Sequence, residues 1–242
     1  MRVALVTGGA VRLGRATVEE LAAAGWAVAF TYRTSAAAAR ALEDALLARG
    51  HDAAAFETDV DDARDRKLLV DRVLDRFGGL DALVNNAAVF PRTRFADLDE
   101  DAFLAVLRTN LAAPVFLAQA CAEALRARRG SIVNIADVYG FQPLRHHLAY
   151  SVSKAALIAA TRALAVELAP EVRVNAVAPG IALFPPDYDE AKRRRLLDRT
   201  LLKVEGGAGE IARTVRFLLE GAATMTGQVL VVDGGRLAGL EA

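Results

Sequence analysis

Two side chains four positions apart, Tyr150 and Lys154, could together move a proton. A phenol titrates near pH ~10 and is a poor acid–base at neutrality, and an adjacent ammonium lowers that value by stabilising the phenolate. In a helical pattern, residues at i and i+4 share a face, so the pair can meet. The same spacing is common by chance, and alone it specifies nothing. A second group of residues suits an anion. Thr7-Gly8-Gly9-Ala10-Val11-Arg12-Leu13-Gly14 joins an apolar run to a helical pattern. Glycines there allow a tight turn and let a phosphate approach a helix N-terminus, where free N–H groups and the dipole favour negative charge. Arg12 and Arg33 offer donor forks suited to a phosphate, with Ser35 as a smaller donor. An acidic residue closing the second strand would suit the ribose hydroxyls of NAD. Here Thr31-Tyr32-Arg33-Thr34-Ser35 has no carboxylate, which favours NADPH. Either arginine could instead be an ordinary surface residue.

Such groups need a frame that brings them together. Short apolar runs at 3–6, 26–31, 53–57, 80–85, 131–136, 172–178 and 228–232 alternate with helical patterns at 13–24, 35–49, 61–77, 111–125, 150–168 and 210–219. Near-continuous apolar strands separated by helices imply an α/β fold, a doubly wound parallel sheet of about seven strands with helices on both faces. No repeat, linker or break in composition divides the chain, so one domain over 1–242 is expected. The stretch 181–208 departs from this rhythm, with Pro185-Pro186, a Lys192-Arg193-Arg194-Arg195 run and Gly206-Gly207. An insertion after a strand's C-terminal end lies where such folds keep their ligand, so a partly helical substrate lid is expected there. For the basic run itself, a solvated helix face is the plainer reading.

Composition narrows the class. The chain has 242 residues, 30 basic and 30 acidic side chains, and 54% hydrophobic residues. It can build a large core, and the zero balance argues against holding nucleic acid or an anionic membrane by bulk charge. A single cysteine, Cys121, excludes an internal disulfide, fits a reducing compartment and reads as a small core residue. The short N-terminal apolar run stops at glycines and lacks a signal peptide's core and cleavage site, and no stretch looks apolar for the ~18 residues of a membrane helix. A soluble, cytoplasmic protein is expected. His51, His146 and His147 form no cluster with metal-ligand spacing, so no metal is expected; the adjacent pair, just before Tyr150, could border the substrate cleft, but a solvated loop is the plainer reading.

The motifs taken together carry a resemblance. Thr7-Gly8-x-x-x-Arg12-x-Gly14, Asp59-Val60, Asn85-Asn86-Ala87-Ala88, Asn110, Tyr150-x-x-x-Lys154, Pro179-Gly180 and Val232-Asp233-Gly234-Gly235 resemble the short-chain dehydrogenase/reductase family over essentially the whole chain. That resemblance implies an NAD(P)-dependent oxidoreductase with a Rossmann-type fold and, commonly, a homotetramer. It makes Tyr150 the proton donor and Lys154 the residue that lowers its pKa and binds the nicotinamide ribose. Asn110 would hold a water in the proton relay, Asp59 and Val60 would flank the adenine, and Asn86-Ala87 would line the cleft. Cofactor contacts would come from Thr7, Gly8, Arg12, Leu13, Gly14, Tyr32, Arg33, Ser35, Asp59, Val60, Asn86, Ala87, Tyr150, Lys154, Pro179 and Gly180.

Two positions depart from the common pattern. Arg12 replaces a glycine, and Asp137 stands thirteen residues before the tyrosine where serine is usual. Both look like the pteridine reductases of this family, as do Tyr32, Ser35, Gln142-Pro143-Leu144 and Phe90. In that branch the aromatic at Phe90 stacks on a pterin, and the arginine at Arg12 reaches both cofactor phosphate and substrate. Substrate contacts would then be Arg12, Phe90, Asp137 and Tyr150, although Ala88 replaces a frequent serine. The chemistry agrees with the substitution. Ketone reduction builds negative charge on oxygen, which a carboxylate opposes, whereas C=N reduction protonates a nitrogen and can use an acid beside Tyr150. The expected reaction is NADPH-dependent reduction of a dihydropterin or dihydrofolate, with Asn110, Asp137, Tyr150 and Lys154 as catalytic residues. A carbonyl reductase of the same fold, such as a 3-oxoacyl thioester reductase or an alcohol or sugar dehydrogenase, is the alternative. For Asp137 alone, an aspartate capping the following turn is another reading.

Overall fold

Alternate residues of the first strand face opposite cores: Ala4 and Val6 join one apolar cluster, Val3 and Leu5 the other. A strand that is apolar on both faces needs helices on both sides, and the computed structural model, which describes residues 1–184 and 188–241, has them. The strands are β1 (Val3–Val6), β2 (Ala27–Tyr32), β3 (Ala53–Glu57), β4 (Ala82–Asn85), β5 (Ser131–Ile135), β6 (Arg173–Pro179) and β7 (Val229–Val232). All pair in parallel, in the order β3-β2-β1-β4-β5-β6-β7. One face is covered by α2 (Ala36–Ala48), α1 (Arg12–Ala23) and, packed beside α1 over β5 and β6, the late helix Gly207–Glu220. The other face carries α3 (Ala63–Phe77) and two helices from the middle of the chain, Ala113–Arg128 and Leu148–Leu168. The winding direction reverses between β1 and β4, so the loops leaving their carboxyl ends diverge and open a crevice.

The expected strands and helices are present, with ends displaced by a few residues. Two elements were not foreseen. A helix α4 (Glu100–Leu107), started by the Asp99 carboxylate accepting from the Ala102 N–H at 2.7 Å, runs into a π-helical turn at Arg108–Ala112 and then directly into α5 (Ala113–Arg128). The resulting stretch Glu100–Arg128 is long and apolar enough to cross a membrane by length and composition, contrary to the sequence expectation that none would be. The reason is the fusion of segments that separately are too short. Its inward residues Leu117, Ala118, Cys121 and Leu125 are buried in the sheet's apolar cluster, so this is a core helix with one face outward. Next come α6 (Leu148–Leu168), α7 (Glu190–Leu197) and α8 (Gly207–Glu220). Helix α7 supplies the helical part expected of the 181–208 stretch, while Pro185-Pro186 lies outside the described residues.

Candidate active site

At the end of β1 the chain turns sharply, and α1 starts with no side chain capping it and no acidic residue in its first turn. Its first N–H groups are therefore available to an anion. The turn is clamped from below. Thr7 is buried, and its hydroxyl accepts from the Asn86 and Ala87 N–H groups at 2.9 and 3.0 Å, while the Asn86 amide donates to the Thr7 and Gly8 carbonyls. A methyl group on Gly14 would lie 2.1 Å from the Gly8 carbonyl oxygen, so only glycine lets α1 approach this closely. Arg12 adopts a left-handed backbone, φ 53°, which is usually glycine's, and its guanidinium reaches the Leu183 carbonyl at 3.4 Å. The cleft above is about 350 Å³ and is lined by Gly8, Arg12, Leu13, Gly14, Tyr32, Arg33, Ser35, Val60, Asn86 and Ala87 among others. A neighbouring cavity of about 650 Å³ shares Arg33, Val89 and Thr109 with it and extends to Phe90 and His147. The uncapped helix end, the arginines and the free Ser35 hydroxyl fit a phosphorylated dinucleotide.

The second cluster lies past the end of β5. Asp137 follows that strand and faces Tyr150 of α6: the phenol donates to one carboxylate oxygen at 2.8 Å, and the Tyr139 N–H donates to the other at 2.8 Å. Burial raises the Asp137 pKa, partly opposed by those two hydrogen bonds and by the charges of Lys154 and Arg236. Tyr150 is pushed well above its ordinary value by burial and then by the Asp137 charge. Lys154, one turn further along α6, is buried and donates to the Ile135 carbonyl at 2.7 Å; desolvation brings its pKa down to about 8. Asn110 sits in the π-helical turn, a device that often marks functional positions because it re-aims a side chain. Its amide accepts from the Val89 N–H at 2.9 Å and donates to the Val89 carbonyl at 3.0 Å and the Ser153 hydroxyl at 3.1 Å. The arrangement can hold a proton between two oxygens beside a buried ammonium.

A family model described as enoyl-(acyl carrier protein) reductase matches residues 9–236. The chain belongs to the short-chain dehydrogenase/reductase family. It is 35% identical over 238 residues to a 3-oxoacyl-[acyl-carrier-protein] reductase of Synechocystis, covering 97% of this chain and 96% of that one. A glucose and ribitol dehydrogenase homolog of rice is 35% identical over 255 residues, covering 97% and 85%. Among solved structures, a blue fluorescent protein from a metagenomic library in complex with NADPH superposes with a TM-score of 0.91 at 32% identity, covering 97% of each chain. This short-chain dehydrogenase/reductase is thus an oxidoreductase by family, with the doubly wound fold expected of it. The relatives reported are named for carbonyl and polyol chemistry, which fits the alternative expectation better than pteridine reduction.

Several residues of this reductase sit otherwise than the sequence implied. The Tyr150 phenol was expected to be lowered by Lys154, yet burial and Asp137 dominate and raise it. The Asn110 side-chain amide commits both N–H groups to protein oxygens, Val89 O and Ser153 Oγ. Thr7 and Asp59 do not line the cleft: Thr7 lies beneath the turn, and Asp59 accepts from the Asp61 N–H at 3.0 Å and pairs with Arg33 at 3.5 Å. Arg33 also lies 3.8 Å from Asp61, so it enters the cleft already tethered by carboxylates. Pro179 ends β6 and Gly180 after it donates to the Val232 carbonyl at 2.9 Å; three residues on, the Leu183 carbonyl accepts from Arg12 of the glycine-rich turn. Phe90, expected as a free stacking platform, is stacked on His147 at 4.3 Å between ring centres and meets the edge of Tyr150 at 4.4 Å. One face of the half-exposed Phe90 is thus already covered by His147. His147 is accordingly part of the site rather than of a solvated loop. Sequence reasoning also missed Asp61, Ser153, Tyr139 and Arg236. Only Arg236 had a signal, its position directly after the closing Gly234-Gly235 pair.

Proposed function

We propose that this protein is an NADPH-dependent reductase of a C=N bond in a flat, nitrogen-rich ring, with dihydropterins and dihydrofolate as the substrate class. One observation carries the reading: the partly buried Asp137 carboxylate accepts a hydrogen bond from the Tyr150 hydroxyl at 2.8 Å. A bound nicotinamide dinucleotide would supply the hydride. Tyr150 would deliver a proton from its hydroxyl to the ring nitrogen as the neighbouring carbon receives that hydride. Asp137 would stabilise the positive charge that gathers on the protonated nitrogen, a charge it suits and an alkoxide it would oppose. Lys154 would keep the Asp137–Tyr150 pair from accumulating net negative charge. Arg12 and Arg33 would take the cofactor's phosphates, and the NADPH held by the metagenomic neighbour is in keeping with that choice. A homotetramer is part of this reading, supported by the exposed apolar residues Leu104 and Phe116 on α4 and α5 and Val152 and Val166 on α6.

The relatives favour a second reading, reduction of a 3-oxoacyl thioester, and on their names alone it is the better supported. In that reaction Asp137 would have to enter protonated, as a neutral donor standing in for a hydroxyl, and the burial that raises its pKa is what would permit it. The two readings part in an NADPH-consumption assay with dihydrobiopterin, dihydrofolate and acetoacetyl thioester. Dihydropterin turnover is expected in the wild type and should fall by roughly 10²-fold in Asp137→Ser, the usual scale of a lost acid–base group. Turnover of the thioester alone, or dihydropterin turnover indifferent to the substitution, would overturn the first reading.

A further inference from the structure

Arg236 is brought to the site from the far end of the chain. It follows the turn after β7, where the Asp233 carboxylate accepts from the Gly235 and Leu237 N–H groups, both at 2.8 Å. That fold-back buries the Arg236 side chain, which is 7% exposed. Its guanidinium donates to the Tyr139 hydroxyl at 3.2 Å and lies 5.3 Å from the centre of the Tyr139 ring. Among the described residues it forms no salt bridge. A buried cation without a salt-bridge partner is costly, so its hydrogen bond to Tyr139 and the charge it faces must account for its place. The acid it acts on is Asp137, two residues before Tyr139, whose carboxylate is held by the Tyr139 N–H.

We propose that Arg236 is a positioning residue for the proton-delivering pair: through Tyr139 it fixes the turn that aims Asp137 at Tyr150, and it adds a second positive charge beside that of Lys154. The groups facing Asp137 are Tyr150 and Lys154 of α6, Tyr139 of its own turn and Arg236 of the C-terminal segment, while Tyr188 and Arg199 of the 181–208 stretch act on Tyr139 from outside. Desolvation brings Lys154 down to about 8, and Arg236 gives the Asp137 carboxylate a second cationic neighbour beside it.

The inference rests on the reading of Asp137 and Tyr150 as the proton-delivering pair, and its test separates the two. With the substrate of the panel that is turned over, Arg236→Met should lower kcat by about tenfold or more, the scale of a slightly misplaced catalytic group, with KM for NADPH unchanged. Removing the cation should also move the limb of the kcat–pH profile that reports Asp137 to higher pH, because the carboxylate loses a stabilising charge. Arg236→Lys should return the limb to its place, a rescue that a merely structural role would not give. In an Asp137→Asn background the Arg236→Met change should leave the profile unmoved. If Arg236→Met does not fold, Tyr139→Phe decides, since it removes the hydrogen bond and keeps the ring; kcat should fall severalfold. Wild-type kcat and profile in Arg236→Met, or wild-type kcat in Tyr139→Phe, overturns the proposal. Should Asp137→Asn itself leave turnover unchanged, the proton-delivery reading fails instead.

Discussion

A carboxyl group buried beside a phenol is held against its own preference, since burial favours the neutral form. The folded-state pKa of Asp137 lies above its ordinary value of 3.8, so the group favours the folded state only while protonated, and that contribution is lost as pH rises through the folded value. Wherever Asp137 is charged, that charge therefore weakens the fold. Asp137→Asn keeps an oxygen for the Tyr139 N–H and removes the charge. It should raise the melting temperature at pH 7, with the gain shrinking as the pH approaches about 4, in scanning calorimetry at stepped pH. A gain equal at all pH values would contradict this account. Lys154 shows the opposite linkage: its folded value near 8 lies below the usual 10.5, so between these limits the unfolded chain binds more protons and stability rises with pH. Activity runs the other way. Reduction should fall above about pH 8 as the ammonium beside Asp137 and Tyr150 discharges, and this limb should be missing from the residual activity of Lys154→Met. A wild-type profile flat through pH 9 would remove Lys154 from that role. The sequence displayed the Tyr150–Lys154 pair through its spacing, but not the balance of charges around it. That balance depends on an aspartate thirteen residues away being buried 2.8 Å from the phenol.

Among the elements, the turn from β1 into α1 was legible because glycine there answers a steric demand. Gly14 meets the Gly8 carbonyl and the Asn86 amide at distances that leave no space for a methyl group, 2.1 and 2.7 Å from an added Cβ. Since the carbonyl is backbone and Asn86 is hydrogen-bonded in place, the contact cannot be relieved by a rotamer change. Gly14→Ala should destabilise the fold by about 2–3 kcal/mol and weaken NADPH binding by tenfold or more, read by thermal melting and by fluorescence titration. Undiminished affinity would show that the close approach does not shape the cleft. Other local geometry was hidden. The π-helical turn at Arg108–Ala112 inserts an extra residue per turn between α4 and α5, which apolar periodicity does not reveal. The left-handed backbone of Arg12 is equally invisible in a string of letters, yet it lets an arginine occupy a position that glycine usually fills.

On the scale of the whole molecule, strand identity was readable because parallel strands covered on both faces are plain apolar runs. The strand order was not, since nothing local tells β4 to lie beside β1. That order is what unites the site. The cleft hangs from the ends of β1, β2 and β4, the Asp137 turn from β5, and Arg236 returns from beyond β7 to Tyr139. Cofactor binding should therefore stabilise the sheet as one cooperative body rather than one half of it. NADPH at a hundredfold excess over its Kd stabilises a protein that binds it only when folded by about 2.7 kcal/mol. For a chain of this size that corresponds to a rise of roughly 5–10 °C in the melting temperature. A single calorimetric transition should move by this amount, and NADH at the same concentration should move it less, because Arg12 and Arg33 would find no 2′-phosphate. Two resolved transitions, of which only one responds to NADPH, would mean that the two halves of the sheet fold as separate units. An equal response to NADH would mean that the carboxylates Asp59 and Asp61 already satisfy Arg33 and that it reads no phosphate.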